Sequence, residues 1–290
     1  MLKKILLLLV GTFALGQAGA QSLSQNIGAV KDGYNFWLYT PDKAGEEKEA
    51  KPLFIFLHGA SLCGNNLDRV RRYGTIDAIE KGRELDAYVI APQNPGGAWS
   101  PKKVINVLDW VRERHNVDST RVYVLGMSLG GYGTIDVAAT YPDRIAAAMA
   151  LCGGGTVKNL GNLNDVPLWI VHGTADRAVS VRESDKVVSA MKNAAGGDAP
   201  RLVYNRVPGM NHSQPARMFY LADSYEWLLS HSLADEARNV ADTFDVTLSK
   251  LKTAYHGLTM GPRKSSVSRS KSAKRSKAKA RSRKNSRRRR

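Results

Sequence analysis

Residues 121–142 read RVYVLGMSLGGYGTIDVAATYP. An unbroken apolar run, Val122 to Leu125, stops at Gly126, presents Ser128, and resumes with a pattern that predicts a helix over 129–140. A run without polar alternation is what a strand covered on both faces requires. Gly126-Met127-Ser128-Leu129-Gly130 is a G-x-S-x-G pattern placed where such a strand must turn sharply into a helix. At so tight a turn the positions two before and two after the serine face neighbouring backbone, where a Cβ would clash. The serine itself is held in a strained conformation that pushes its Oγ outward. The competing reading is a glycine-rich turn with an incidental serine.

Working outward, short apolar segments recur at 34–40 (YNFWLYT), 53–57 (LFIFL), 87–91 (AYVIA), 145–151 (IAAAMAL), 168–173 (LWIVHG) and 202–207 (LVYNRV). Between them lie candidate helices at 66–81, 102–115, 129–140, 180–194 and 216–230. In the second of these Val104, Val107, Leu108 and Val111 fall at helical spacing. This alternation predicts an α/β fold, a mostly parallel sheet with helices on both faces. Ligands then bind at the carboxyl ends of the strands.

A serine hydroxyl is a weak nucleophile unless a base takes its proton. Of six histidines, His212, in VPGMNHSQP, follows the last predicted strand and falls at that rim. His172 ends a strand and reads as a structural residue packing the acid loop, whereas His115, His231 and His256 lie away from the rim. The base needs a carboxylate to fix its tautomer. Asp176, in HGTADRAV, follows its strand at the correct end, while Asp143 and Asp165 precede theirs. The order Ser128, Asp176, His212 suits this architecture. Charge developing on an attacked carbonyl needs donors. The strand at 53–57 runs into His58-Gly59, which turns the backbone N–H of Ala60, or of Ser61, toward the site. Leu129 N–H at a helix start is the second candidate.

From about residue 35 to 231, LHGASLCGNN, APQNPGGAW, RVYVLGMSLGGYGT, ALCGGG, HGTADRAV and GMNH together resemble the α/β-hydrolase superfamily. They are most similar to a secreted bacterial group of esterases and predicted peptidases, polyhydroxybutyrate-depolymerase-like or feruloyl-esterase-like. The resemblance implies a triad of Ser128, Asp176 and His212 and hydrolysis through an acyl-enzyme without a cofactor. One departure is that Ala60-Ser61-Leu62-Cys63 stands where the family more usually has polar residues such as Glu and Arg.

About sixteen residues separate the strand at 145–151 from the next, too few for a cap domain, so the site is expected to be open to bulky or polymer-linked acyl groups. Trp99 is a candidate aromatic surface for substrate, with ordinary packing the alternative. Cys63 and Cys152 each follow a strand end, either as a disulfide pair or as two free thiols. No paired Cys/His cluster suggests a metal site.

The two ends differ from the middle. Lys3 and Lys4, an apolar run over 5–15 and Ala18-Gly19-Ala20 predict a signal peptide over 1–20. The run is too short for a membrane span, which needs about twenty residues, and a secreted or periplasmic product is expected. Residues 263–290 carry 15 of the 43 Lys and Arg and no acid, and predict a disordered basic tail over 261–290. Residues 21–262 hold 26 basic and 26 acidic residues, so the net charge of +17 belongs to the ends. Such a tail suits polyanions. It has no aromatic residues for base stacking, which excludes specific nucleic-acid reading. Between the hydrolase region at 21–231 and the tail, residues 232–260 form a candidate helical extension through Leu233, Val240, Phe244, Leu248, Leu251 and Tyr255.

The functional expectation is a secreted serine esterase, with acetyl or feruloyl groups on polysaccharide as candidate substrates. A prolyl-oligopeptidase-like peptidase or a phospholipase or other acyl-ester hydrolase is the alternative enzyme. A catalytically dead, polyanion-binding surface protein is the alternative of another class.

Overall fold

The computed structural model describes residues 21–42, 49–240 and 245–259; the expected signal peptide and basic tail lie outside the described residues. Eight strands, β1 (Ser22–Asn26), β2 (Asn35–Thr40), β3 (Lys51–Leu57), β4 (Tyr88–Gln93), β5 (Val117–Met127), β6 (Ala147–Leu151), β7 (Leu168–Gly173) and β8 (Leu202–Val207), make one sheet. Their order is β1-β2-β4-β3-β5-β6-β7-β8. β1 and β2, and β2 and β4, pair antiparallel, while the remaining neighbours run parallel. Seven strands match apolar segments of the sequence. β1 has no such run; its backbone pairing with β2, from Ser22 opposite Thr40 to Asn26 opposite Phe36, supplies its place.

β3, β4, β6 and β7 are buried at every position, as their apolar sequences require. Because successive side chains point to opposite faces, Phe54, Phe56, Tyr123, Leu125 and Trp169 enter one core, and Leu53, Ile55, Leu57, Val124 and Ile170 the other. Each large apolar side chain fully removed from water contributes about 1.5–3 kcal/mol. α2 (Pro101–Arg112), α3 (Leu129–Thr140) and α4 (Arg182–Ala194) cover the second core. α1 (Thr75–Glu80), α5 (Ala222–Leu229) and α6 (Leu248–Lys252) cover the first. α2 starts cleanly because Ser100 Oγ accepts from Lys103 N–H and Pro101 occupies the first turn. Its Val104, Val107, Leu108 and Val111 then line the buried face.

Inside α3, Asp136 is buried and accepts from Thr156 N–H (2.8 Å), Thr156 Oγ1–H (2.5 Å) and Val157 N–H (3.3 Å), anchoring the loop after β6. Asp136→Ala leaves these donors unpaired. It is expected to lower stability by about 3 kcal/mol, seen as a lower urea midpoint at unchanged slope.

Three helical expectations are corrected. The segment 66–81 divides into a 3-10 turn (Leu67–Arg72) and α1, because Gly74 takes φ 96° where a Cβ would overlap the Phe56 ring. The segment 216–230 divides into a 3-10 turn (Gln214–Tyr220) and α5 at Leu221, whose ψ of 132° is extended. The extension expected over 232–260 holds only α6 among its described residues. Leu233 N–H donates to Thr120 O and Val240 N–H to Pro200 O, so bonds to the body replace the helical ladder. Arg238, at φ 48°, adds guanidinium bonds to the carbonyls of Asp165, Ile145 and Ala146. No helix among the described residues is long and apolar enough to cross a membrane.

Candidate active site

Ser128 stands between the end of β5 and the start of α3 with φ 58° and ψ −123°, a conformation costly for any residue but glycine. The flanking glycines are required by close approach. A Cβ at Gly130 would lie 1.9 Å from Leu57 O, and one at Gly126 2.4 Å from Gly130 O. Ser128 N–H donates to Leu151 O (2.8 Å), tying the turn to the end of β6.

Asp176 follows β7 and His212 follows β8, so both arrive at the carboxyl edge where Ser128 stands. His212 Nε2 lies 3.0 Å from Ser128 Oγ, and His212 Nδ1 lies 2.7 Å from Asp176 Oδ2. The carboxylate can only accept from Nδ1, which leaves Nε2 as the acceptor facing the hydroxyl. Asp176 Oδ1 accepts from Ala178 N–H (2.8 Å) and Val179 N–H (2.9 Å). Burial pushes this carboxyl up, but His212 and the two backbone donors outweigh it and hold it below the ordinary carboxylate range. A hydroxyl, imidazole and ionised carboxylate so joined can move a proton from oxygen to nitrogen and stabilise the resulting imidazolium. Asp143 and Asp165 sit in turns that precede β6 and β7, at the opposite edge.

His172 packs the acid loop. Its Nε2 lies 3.0 Å from Val179 O and 3.3 Å from Asp176 Oδ2, and its Nδ1 2.8 Å from Ser184 Oγ, which donates to Gly153 O. Ser184, on α4, belongs to no sequence motif, and only the packing of α4 brings it here.

Ala60 opens a 3-10 turn (Ala60–Leu62) and Leu129 opens α3; among the described residues neither N–H has an intramolecular acceptor. Where a Cβ at Gly59 would lie, Ser128 Cβ is 3.4 Å away, so this loop borders Ser128. His58 is fully buried. Its Nε2 accepts from Asn94 N–H (3.0 Å), so the proton resides on Nδ1 and is donated to Gly59 O (2.8 Å). Burial pushes the His58 pKa down to about 4. From pH 6.5 to 4 the unfolded chain therefore binds a proton the folded one does not. Stability from this group is complete above pH 6.5 and falls by roughly 3 kcal/mol as pH drops to 4. The difference in unfolding free energy between the parent chain and His58→Asn, followed across that window, is expected to carry this slope.

Trp99 is a correction. It is buried, edge-on to Tyr34 and His58, and its Nε1–H donates to His58 O (3.2 Å). Gly133 of α3 lies directly against the indole, so the ring packs under the loop and presents no surface to substrate. Cys63 and Cys152 are free thiols.

The fold, helices on both faces of a mostly parallel sheet, is similar to that of a solved thermostable esterase. The TM-score is 0.57 at 24% identity, over 74% of this chain and 63% of that one. The chain has the α/β-hydrolase fold.

Residues 91–160 match the model of the prolyl oligopeptidase family. Acetylxylan esterase A of Emericella nidulans is 30% identical over 109 residues, 37% of this chain and 35% of the relative. Feruloyl esterase B of Neurospora crassa is 28% identical over 177 residues, 53% of this chain and 55% of the relative. The chain thus spans roughly a third to half the length of these two curated relatives. The chain connects β6 to β7 with only a 3-10 turn (Leu160–Asp165), so no cap overhangs Ser128 from this connection. Cys152 Sγ lies close enough to Asp176 and His212 that the ligand atoms of all three fall within 4.8 Å of one another. Burial, and then the Asp176 charge, push this thiol far up, so it is a neutral neighbour of the pair.

Proposed function

We propose that this α/β-hydrolase is a serine esterase that cleaves carboxylic esters through an acyl-enzyme at Ser128. The observation that carries the reading is the continuous path Ser128 Oγ, His212 Nε2, His212 Nδ1, Asp176 Oδ2, with contacts of 3.0 and 2.7 Å. Ser128 Oγ attacks the ester carbonyl carbon while its proton passes to His212 Nε2. The charge developing on the carbonyl oxygen is met by Ala60 N–H and Leu129 N–H. Collapse of the tetrahedral intermediate expels the alkoxide, which takes the proton from His212. Water, deprotonated by the same imidazole, then attacks the acyl-serine, and collapse of the second intermediate releases the acid as Ser128 Oγ takes the proton back from His212. Asp176 stays ionised throughout.

The short β6–β7 connection favours bulky or polymer-linked esters, and the acetylxylan and feruloyl esterase relatives point to acetyl or feruloyl groups on polysaccharide. The basic and apolar segment before residue 21 supports export, and the 15 basic residues of 263–290 support holding the enzyme on a polyanion. The prolyl oligopeptidase match over 91–160 favours a second reading, amide hydrolysis at the same serine. The test is turnover of p-nitrophenyl acetate and methyl ferulate beside an aminoacyl p-nitroanilide, with fluorophosphonate labelling located by mass spectrometry. Ester turnover with label on Ser128 supports the esterase, and faster anilide cleavage the peptidase. Absence of both turnover and label overturns either.

A further inference from the structure

We propose that Tyr73 is a positioning residue for the oxyanion loop, its hydroxyl clamping Gly59 so that Ala60 N–H faces the reacting carbonyl oxygen; this rests on the serine-hydrolase reading above. Two peptide planes flank Gly59, and the polar groups that set their tilt are held from outside the loop, by the His58 ring or by the loop's own turn. In the first plane His58 O accepts from Trp99 Nε1–H (3.2 Å), and Gly59 N–H donates to Tyr73 Oη (2.7 Å). In the second, Gly59 O accepts from His58 Nδ1–H (2.8 Å) and Leu62 N–H (3.1 Å). A trans peptide points its N–H opposite to its C=O. Turning Gly59 O toward the imidazole therefore aims Ala60 N–H the other way.

Tyr73 is the part of this clamp that borders the nucleophile. The point where a Cβ at Gly59 would lie is 2.9 Å from Tyr73 Oη and 3.4 Å from Ser128 Cβ. Edge-on packing against Phe56 (6.1 Å) and tilted contact with Phe219 (6.4 Å) fix the ring. Burial raises the phenol pKa, so the hydroxyl is neutral and available as an acceptor at working pH. Without it the Gly59 N–H is unpaired beside the substrate, free to compete for the carbonyl or to let the plane rotate.

The test is Tyr73→Phe, which keeps the ring packing and deletes only the oxygen. With p-nitrophenyl acetate, kcat is expected to fall about tenfold to a hundredfold with KM nearly unchanged. The rate of fluorophosphonate labelling of Ser128 and the affinity for a phenylboronic acid should fall by a similar factor, because both pass through or mimic the tetrahedral oxyanion. A packing role alone would lower the melting temperature and leave boronate affinity and labelling rate unmoved. That result, or parental kcat, overturns the assignment while leaving Ser128 as nucleophile. A parent chain that neither turns over ester nor takes the label overturns the hydrolase reading itself, and the clamp with it.

Discussion

Ser128→Ala is expected to lower kcat for p-nitrophenyl acetate by about five orders of magnitude, leaving only the residual rate that oxyanion donors and substrate binding supply without a nucleophile. The change removes one oxygen from a site where the backbone is fixed independently. Ser128 N–H is bonded to Leu151 O, and Gly126 and Gly130 are seated against Leu57 and each other. The fold should therefore survive, because alanine keeps the Cβ that serine already carries at φ 58° and adds no strain. Steady-state turnover of both proteins, purified identically and compared by circular dichroism, is the measurement. A variant within tenfold of the parent would place the nucleophile elsewhere.

Asp176→Asn is expected to cost about four orders of magnitude in kcat with little change in shape. The new amide oxygen can keep the bonds from Ala178 and Val179 N–H now made to Oδ1, which turns the NH2 toward His212 Nδ1. An NH2 donates, so Nδ1 must become the acceptor and Nε2 must carry the proton. Nε2 then points a hydrogen at Ser128 Oγ and has no lone pair to take one. The loss should appear in kcat rather than KM. Fluorophosphonate labelling of Ser128 should slow in parallel, because it needs the same deprotonation. Retention of more than about a hundredth of parental kcat would mean that another carboxylate orients His212.

The three residues of the site were legible in the sequence for one reason. In a parallel sheet the segment after each strand emerges at the same edge, so Ser128 after 122–126, Asp176 after 168–173 and His212 after 202–207 had to converge once the strands were recognised. The glycines at 126 and 130 were readable because a Cβ is excluded there by backbone, a constraint that leaves its mark on residue type. Other features left none. Trp99 follows a strand end just as Ser128, Asp176 and His212 do, yet its indole turns under the loop because Gly133 leaves room on α3 and His58 O offers an acceptor. Residues 66–81 carry helical spacing, but Phe56, on a strand ten residues before that stretch, demands the break at Gly74.

The sequence by itself thus determined the parallel sheet, the strained serine turn and the chain order of Ser128, Asp176 and His212 along one sheet edge, all consequences of local periodicity and of steric limits between neighbours. Only the tertiary structure decided how Gly59 is held and which residues hold it. Tyr73 reaches that glycine, and Trp99 the carbonyl of His58 before it, from separate segments, and whether a polar side chain faces solvent, substrate or a buried backbone group is set by the packing of helices on the sheet, on which spacing along the chain is silent.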